Sequence, residues 1–261
     1  MARLHRPSTP AIDVSGPDRA IRRLLGAAFG PTRRDRQVAI GPSGVGDPCD
    51  YCVARLMAAR LTGAVSSDGG SLATWIGSAI HEYLEHRLTG PDAPPELADM
   101  GLIAEEHGVV CGYIEGYGEI KGSPDLYVTL DNLLIDWKGT KKDKIKKYKL
   151  HGVPMVYDYQ KHLYAKGEND NGRKVEWVAN VFIPRDGFSY NDCWWDITPY
   201  DPQAALNALR RAEVIWNDYV VPGEIEELAS DDDCWTCNMS EFMKLNQEGL
   251  VILNNGEEGN R

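Results

Sequence analysis

The residues best suited to chemistry are Asp125, Asp136 and Lys138, carried in Gly122-Ser-Pro-Asp125 and Leu133-Leu-Ile-Asp136-Trp-Lys138. Side chains alternate across a strand, so a strand over Leu133 to Lys138 puts Asp136 and Lys138 on one face and Trp137 on the other. Asp131-Asn132 makes a tight turn just upstream, and Asp125 then begins the neighbouring strand of the same hairpin. Two carboxylates can converge there on one divalent cation, with an ammonium alongside. Hard oxygen donors suit Mg²⁺ or Mn²⁺. Such an ion can orient a phosphodiester, lower the pKa of bound water and stabilise a developing oxyanion, while Lys138 offsets transition-state charge. Asp-x-Lys alone fits a surface hairpin equally well. The apolar Leu133-Leu134-Ile135 run points away from that, because a charged pair ending a buried strand needs a partner or a role.

Two further stretches could serve the same centre. His81 in Gly77-Ser-Ala-Ile-His81 lies about one helical turn after Gly77, a residue that permits close helix packing, and its imidazole could complete the metal site. The competing reading pairs His81 with Glu85 one turn further on. Gln160 and Tyr164 share one face of a helix, so both can reach the same substrate or Lys138; an ordinary amphipathic helix explains them as well. Separately, Cys49/Cys52 and Cys234/Cys237 form two Cys-x-x-Cys pairs near opposite ends of the chain, a pattern that favours metal binding over disulfides in a reducing compartment. Cys111 and Cys193 read as small core residues on strands.

The elements that must hold these residues follow from hydrophobic period. Helices are expected at Asp18 to Phe29, Cys49 to Leu61, Leu72 to Leu88, Met155 to Lys166 and from Asp201-Pro202 to about Tyr219. The third of these carries an apolar stripe of Trp75, Ile76, Ala79, Ile80, Tyr83 and Leu84. Strands are expected at Ile103 to Cys111, Tyr113 to Ile120, Asp125 to Leu130, Leu133 to Trp137, Val175 to Ile183 and Cys193 to Ile197. A short helical segment is expected after Cys237. The order implies an α/β (α+β) fold, a central mixed sheet flanked by helices rather than a doubly wound parallel one. The organisation expected is an extension over residues 1–36, a main domain over 37–240 with a cysteine pair at each end, and a polar tail over 241–261.

The chain has 261 residues, 43% of them hydrophobic, which suits one sizeable core. No apolar run approaches the roughly 20 residues of a membrane span, and Met1 to Pro10 lacks the apolar stretch of a secretory signal, so a cytoplasmic protein is expected. The net charge of -11 argues weakly against nucleic acid, but seven lysines fall between Lys138 and Lys149. Lys141, Lys142, Lys144, Lys146 and Lys147 are candidate phosphate contacts, or a solvated loop, the usual fate of charge runs. Trp194 and Trp195 could stack on bases or pack in the core. Gly41-Pro-Ser-Gly-Val-Gly46 has the look of a phosphate loop, but Asp47-Pro48 stands where Lys and Ser/Thr are required, so no nucleotide site is read there.

Together the four stretches resemble the RecB-type branch of the PD-(D/E)XK nucleases, including the CRISPR-associated RecB-like exonucleases and their phage relatives. Gly77 to His81, Gly122 to Asp125, Asp136 to Lys138 and Gln160 to Tyr164 stand in the order of that branch's motifs. The resemblance spans about residues 41 to 240. It implies a restriction-endonuclease-like core, with a catalytic metal held by His81, Asp125, Asp136 and the Trp137 carbonyl. Lys138 would be the catalytic lysine, with Gln160 and Tyr164 supporting the site. It further implies that the cysteines hold a [4Fe–4S] cluster joining the two ends of the domain. Here the cysteines are distributed two and two, rather than one before the core and three after it, and Zn²⁺ suits four thiolates equally. The function expected is a DNA exonuclease on single-stranded ends, in phage or mobile-element recombination. The alternatives are an endonuclease of the same superfamily and a non-catalytic DNA-binding module. A recombination partner would be unnamed by sequence.

Overall fold

A computed structural model describes residues 15–28, 39–63, 72–104 and 108–229, together with Cys234 and Cys237. The first half runs α1 (Ser15–Ala28), α2 (Pro42–Val45), α3 (Asp50–Thr62), α4 (Leu72–Thr89), β1 (Leu102–Ala104), β2 (Val109–Ile114) and β3 (Gly118–Gly122). The second half runs β4 (Leu126–Val128), β5 (Leu133–Thr140), α5 (Lys142–His151), α6 (Met155–Asp170), β6 (Trp177–Pro184), β7 (Trp194–Pro199) and α7 (Pro202–Ile215).

The main sheet has the strand order β1-β4-β5-β6-β7, which puts β5 in the middle. β4 and β5 are antiparallel, with Leu126 opposite Ile135 and Val128 opposite Leu133. The turn between them contains Asn132 at φ 51, a left-handed conformation that asparagine tolerates better than most residues. β5 and β6 run parallel from Leu133/Trp177 to Thr140/Pro184, which requires the long crossover through α5 and α6. β1 pairs with β4 and β7 with β6, both antiparallel. The sheet is therefore mixed, as the order of elements predicts. β2 and β3 form a separate hairpin.

Helices cover both faces of the sheet. α6 packs between β5 and β6 on one side and α2, α7 and β2 on the other. Its buried run from Gln160 to Ala165 follows from that enclosure. Lys161 is only 1% exposed and is neutralised there by Asp158 at 3.1 Å and Asp196 at 2.7 Å. α4 crosses the opposite face beside β1 and β5. Val53 and Met57 of α3, Ile114, Ile120, Leu163, Val178, Leu209 and Trp216 share one core. Asp201 caps α7 by accepting the Gln203 N–H at 2.8 Å, with Pro202 in the first turn.

Several expectations are corrected. Residues 103–111, read as one strand, contribute β1 to the main sheet and β2 to the separate hairpin. The strand expected over 113–120 is interrupted by a turn at 115–117, where Gly116 sits at φ 76. The lysine run is helical: Ile145 is buried and Tyr148 half-buried one turn on, while the lysines 144, 146, 147 and 149 face outward. The 41–48 loop contains the helical turn α2. The α4 stripe is not core, since α4 has no buried residue and Trp75 and Tyr83 are exposed. A Cβ on Gly77 would meet nothing within 4 Å, so the close approach of α4 to the sheet falls to Gly139, whose Cβ would lie 3.1 Å from Ile80 Cδ1. Cys111 is buried on β2 as expected, but Cys193 is half-buried and precedes β7. Of the 1–36 extension the structure describes only Ser15–Ala28. The tail and the helical segment expected after Cys237 lie outside the described residues.

Candidate functional site

The β4–β5 hairpin sets the site. Asp125 directly precedes β4, and extending the register from Leu126/Ile135 places it opposite Asp136 on the central strand. Lys138 follows two residues on, on the same face. Asp125 is fixed from two directions. Its Oδ2 accepts the Trp137 backbone N–H at 2.7 Å, and its Oδ1 lies 2.8 Å from His81 Nδ1, presented by α4. That contact supersedes Glu85 as the partner of His81, although Glu85 lines the same space.

Asp136 is buried and in charge contact with Lys138. It is Asp136 Oδ2 that the Lys138 ammonium meets. A carboxylate has several lone pairs, so this one could be shared between the ammonium and a cation. Desolvation raises the Asp136 carboxyl to about 6, with Lys138 opposing the shift and Asp125 adding to it. The hydrogen bond to Asp125 raises His81 against an opposing desolvation. The ammonium of Lys138 is directed by a relay from α6: it donates to Gln160 Oε1 at 2.7 Å, and Gln160 Nε2 donates to Tyr164 Oη at 2.9 Å. Lys138 Nζ also lies 5.1 Å from the centroid of the Tyr157 ring.

These groups line one cleft of ≈ 620 Å³, together with Pro42, Ser43, Lys121, Ser123 and Trp137. His81, Asp125, Asp136, Lys138, Gln160, Tyr164 and Trp137 are thus brought together. Lys141, Lys142, Lys144, Lys146 and Lys147 are not: they stand on α5 or at its N-terminus, outside the cleft lining, and Lys142 pairs with Asp192 at 3.0 Å. Trp194 stacks on Phe182, with centroids 5.5 Å apart, whereas Trp195 is exposed. Sequence reasoning missed Lys121, Ser43 and Ser123. Lys121 immediately precedes Gly122-Ser-Pro-Asp125, which was an available signal. Ser43 belongs to the glycine-bearing segment that fails as a nucleotide loop yet forms a wall of this cleft. A Cβ on Gly122 would lie 2.6 Å from the Tyr164 ring and 2.8 Å from Pro42, so glycine is required where the β3 end, α2 and α6 meet.

The four paired cysteines also converge. Cys49 lies at the N-terminus of α3, Cys52 in its first turn, and their sulfurs and those of Cys234 and Cys237 all fall within 4.8 Å of one another. Cys49, Cys52 and Cys237 are buried and Cys234 half-buried, in a cluster apart from the main core that joins α3 to residues more than 180 positions later.

No protein-family model and no curated protein matches this chain. Among solved structures, an alkaline exonuclease from Laribacter hongkongensis is similar at a TM-score of 0.50 and 20% identity, over 74% of this chain and 92% of that one. The same exonuclease in complex with dAMP is similar at 0.49 and 19%, over 74% and 92%. A phage-related exonuclease from Haemophilus somnus 129PT is similar at 0.43 and 16%, over 69% and 83%. The first of these shows a shared fold, a mixed sheet flanked by helices. Among the described residues no helix is long and apolar enough to cross a membrane.

Proposed function

We propose that this chain is a divalent-metal-dependent deoxyribonuclease of the PD-(D/E)XK type, acting as an exonuclease on single-stranded DNA ends. The observation that carries the reading is the meeting of His81, Asp125 and Asp136 beside Lys138 in one cleft, from segments up to 57 positions apart in sequence. His81, Asp125 and Asp136 would hold a Mg²⁺ or Mn²⁺ ion, with the Trp137 carbonyl as a further ligand on the family resemblance. That ion would supply electrostatic stabilisation of the phosphodiester and acidify water. Lys138, held by Gln160, offsets negative charge gathering on the phosphate and orients the attacking water. Tyr164 braces Gln160 and stands beside Gly122 at the cleft wall. Ser43, Ser123 and Lys121 offer donors for flanking phosphates, and the α5 lysines extend positive charge beyond the cleft. The cysteine tetrad would hold a metal centre that joins the two ends of the domain: [4Fe–4S] on the family resemblance, Zn²⁺ on the donor set alone.

The test is hydrolysis of end-labelled single-stranded DNA with Mg²⁺ or Mn²⁺, beside Asp136→Ala and Lys138→Ala. Cleavage by the native chain and none by the variants is expected; equal activity in all three removes the assignment. A supercoiled circular plasmid left intact separates an exonuclease from an endonuclease. Tight DNA binding with no cleavage in any divalent metal would leave only a binding module.

A further inference from the structure

The geometry points to a single Zn²⁺ ion, bound tetrahedrally by Cys49, Cys52, Cys234 and Cys237, rather than an iron–sulfur cluster. Three sulfur separations decide the size of the site: Cys49 to Cys237 at 3.7 Å, Cys52 to Cys234 at 3.6 Å and Cys52 to Cys237 at 3.4 Å. Every remaining pair is within 4.8 Å. Four thiolates about 2.3 Å from one tetrahedral ion stand about 3.8 Å apart. In a [4Fe–4S] cluster each cysteine binds a different iron, so the sulfurs occupy the outer corners of a cubane and stand about 6 Å apart. A [2Fe–2S] cluster also requires such a separation between the thiolates on its two irons, again about 6 Å. Neither fits within 4.8 Å. A disulfide would need about 2.0 Å, well below the separations seen.

The surroundings suit a closed structural site. Cys49, Cys52 and Cys237 are 1%, 7% and 9% exposed and Cys234 is half-buried, and four thiolates would fill a tetrahedral ion's positions without leaving one for water or substrate. The loop that presents Cys49 is fixed independently of any ion. Arg211 of α7 donates to the Asp47 carbonyl at 2.6 Å, the Pro48 carbonyl at 2.9 Å and Asp50 Oδ1 at 2.7 Å. Asp47 Oδ1 in turn accepts the Cys49 N–H at 2.9 Å. Two of the four sulfurs therefore sit on a pre-set helix start, with the other pair brought to them. Because α2 lies on the same segment, the ion would hold one wall of the nuclease cleft in place without taking part in its chemistry.

The test is metal analysis of the full chain, purified without oxygen from cells supplied with both iron and zinc. It is carried out in the Asp136→Ala background, so that zinc in the nuclease cleft is not counted. One zinc per chain, no acid-labile sulfide and no visible colour are expected. Exchange with Co²⁺ should give the intense visible bands of a tetrahedral thiolate site. Cys52→Ser should lower zinc to less than half an equivalent, whereas Cys193→Ser, outside the cluster, should retain it. Iron with or without labile sulfide overturns the proposal, as do paired disulfides or four reactive thiols in a metal-free chain. None of these readouts depends on DNA cleavage, so the zinc assignment and the nuclease assignment stand or fall separately.

Discussion

Two clusters of side chains whose types can ligate metal stand among the described residues, and they are built on opposite plans. The β5 cluster uses hard oxygen donors and one imidazole, opens into a cleft, and sets a charged lysine beside its carboxylates. The cysteine cluster uses soft donors, is largely buried, and draws them from sites more than 180 residues apart. The first lines a cleft with room for a substrate. The second spends all of its donors on one another's neighbourhood. An open site with a lysine suits turnover, and a closed one suits cohesion.

The comparison can be broken first at Asp136. Asp136→Asn removes a ligand and the charge facing Lys138, and should lower the DNA-cleavage rate by on the order of 10³-fold in a single-turnover assay. The metal-free variant should melt no lower than the native chain, because the lost carboxylate is a desolvated one. Gln160→Ala leaves the ammonium of Lys138 without its guide and should lower kcat by about 10–100-fold with KM little changed, with Tyr164→Phe smaller in the same direction. Cleavage rates that fall only through KM would argue that the relay serves DNA binding instead.

A third expectation concerns pH. The Asp136 carboxyl is raised to about 6 from its usual value near 3.8, and His81 is also raised. Metal must therefore displace protons from both, and Mn²⁺ affinity, followed by calorimetry, should fall by about tenfold per pH unit or more below pH 6. For the metal-free chain the sign is opposite. With the folded pKa of Asp136 above the unfolded one, the native state holds the extra proton between pH 3.8 and 6, so its stability declines as pH rises through that window. The raised His81 likewise contributes stability at acid pH that is lost as pH rises through its folded pKa. The fourth expectation is at the cysteines, where Cys52→Ser should lower Tm by about 10 °C, corresponding to a few kcal/mol in a domain of this size. A Tm unchanged by Cys52→Ser but lowered by Asp136→Asn would invert the roles assigned to the two clusters.

Much of the β4–β5 hairpin was legible because its signals are local. Asp131-Asn132 marks the turn, the Leu133-Leu-Ile run marks the buried strand, and alternation then puts Asp136 and Lys138 together. The Asp201-Pro202 cap was readable for the same reason. What failed depends on partners distant in sequence. Nothing in residues 103–111 says that their two ends join different sheets. Nor does the apolar stripe of α4 reveal that it lies on an incompletely covered surface. The α5 helix was hidden by its lysines, whose charge outweighed the spacing of Ile145 and Tyr148. Lys121 and Ser43 reach the cleft only because β3 and α2 fold against α6, a contact enforced at Gly122 and invisible in the chain as written.

The position of β5 has a consequence for how the site breathes. Strands hydrogen-bonded on both sides exchange their amide protons last, whereas a helix with no buried residue opens at small cost. Asp136 and Lys138 therefore sit on a strand paired on both sides, and His81 on a helix without a buried residue. On that footing hydrogen exchange should be faster at the α4 amides around His81 than at the β5 amides around Asp136.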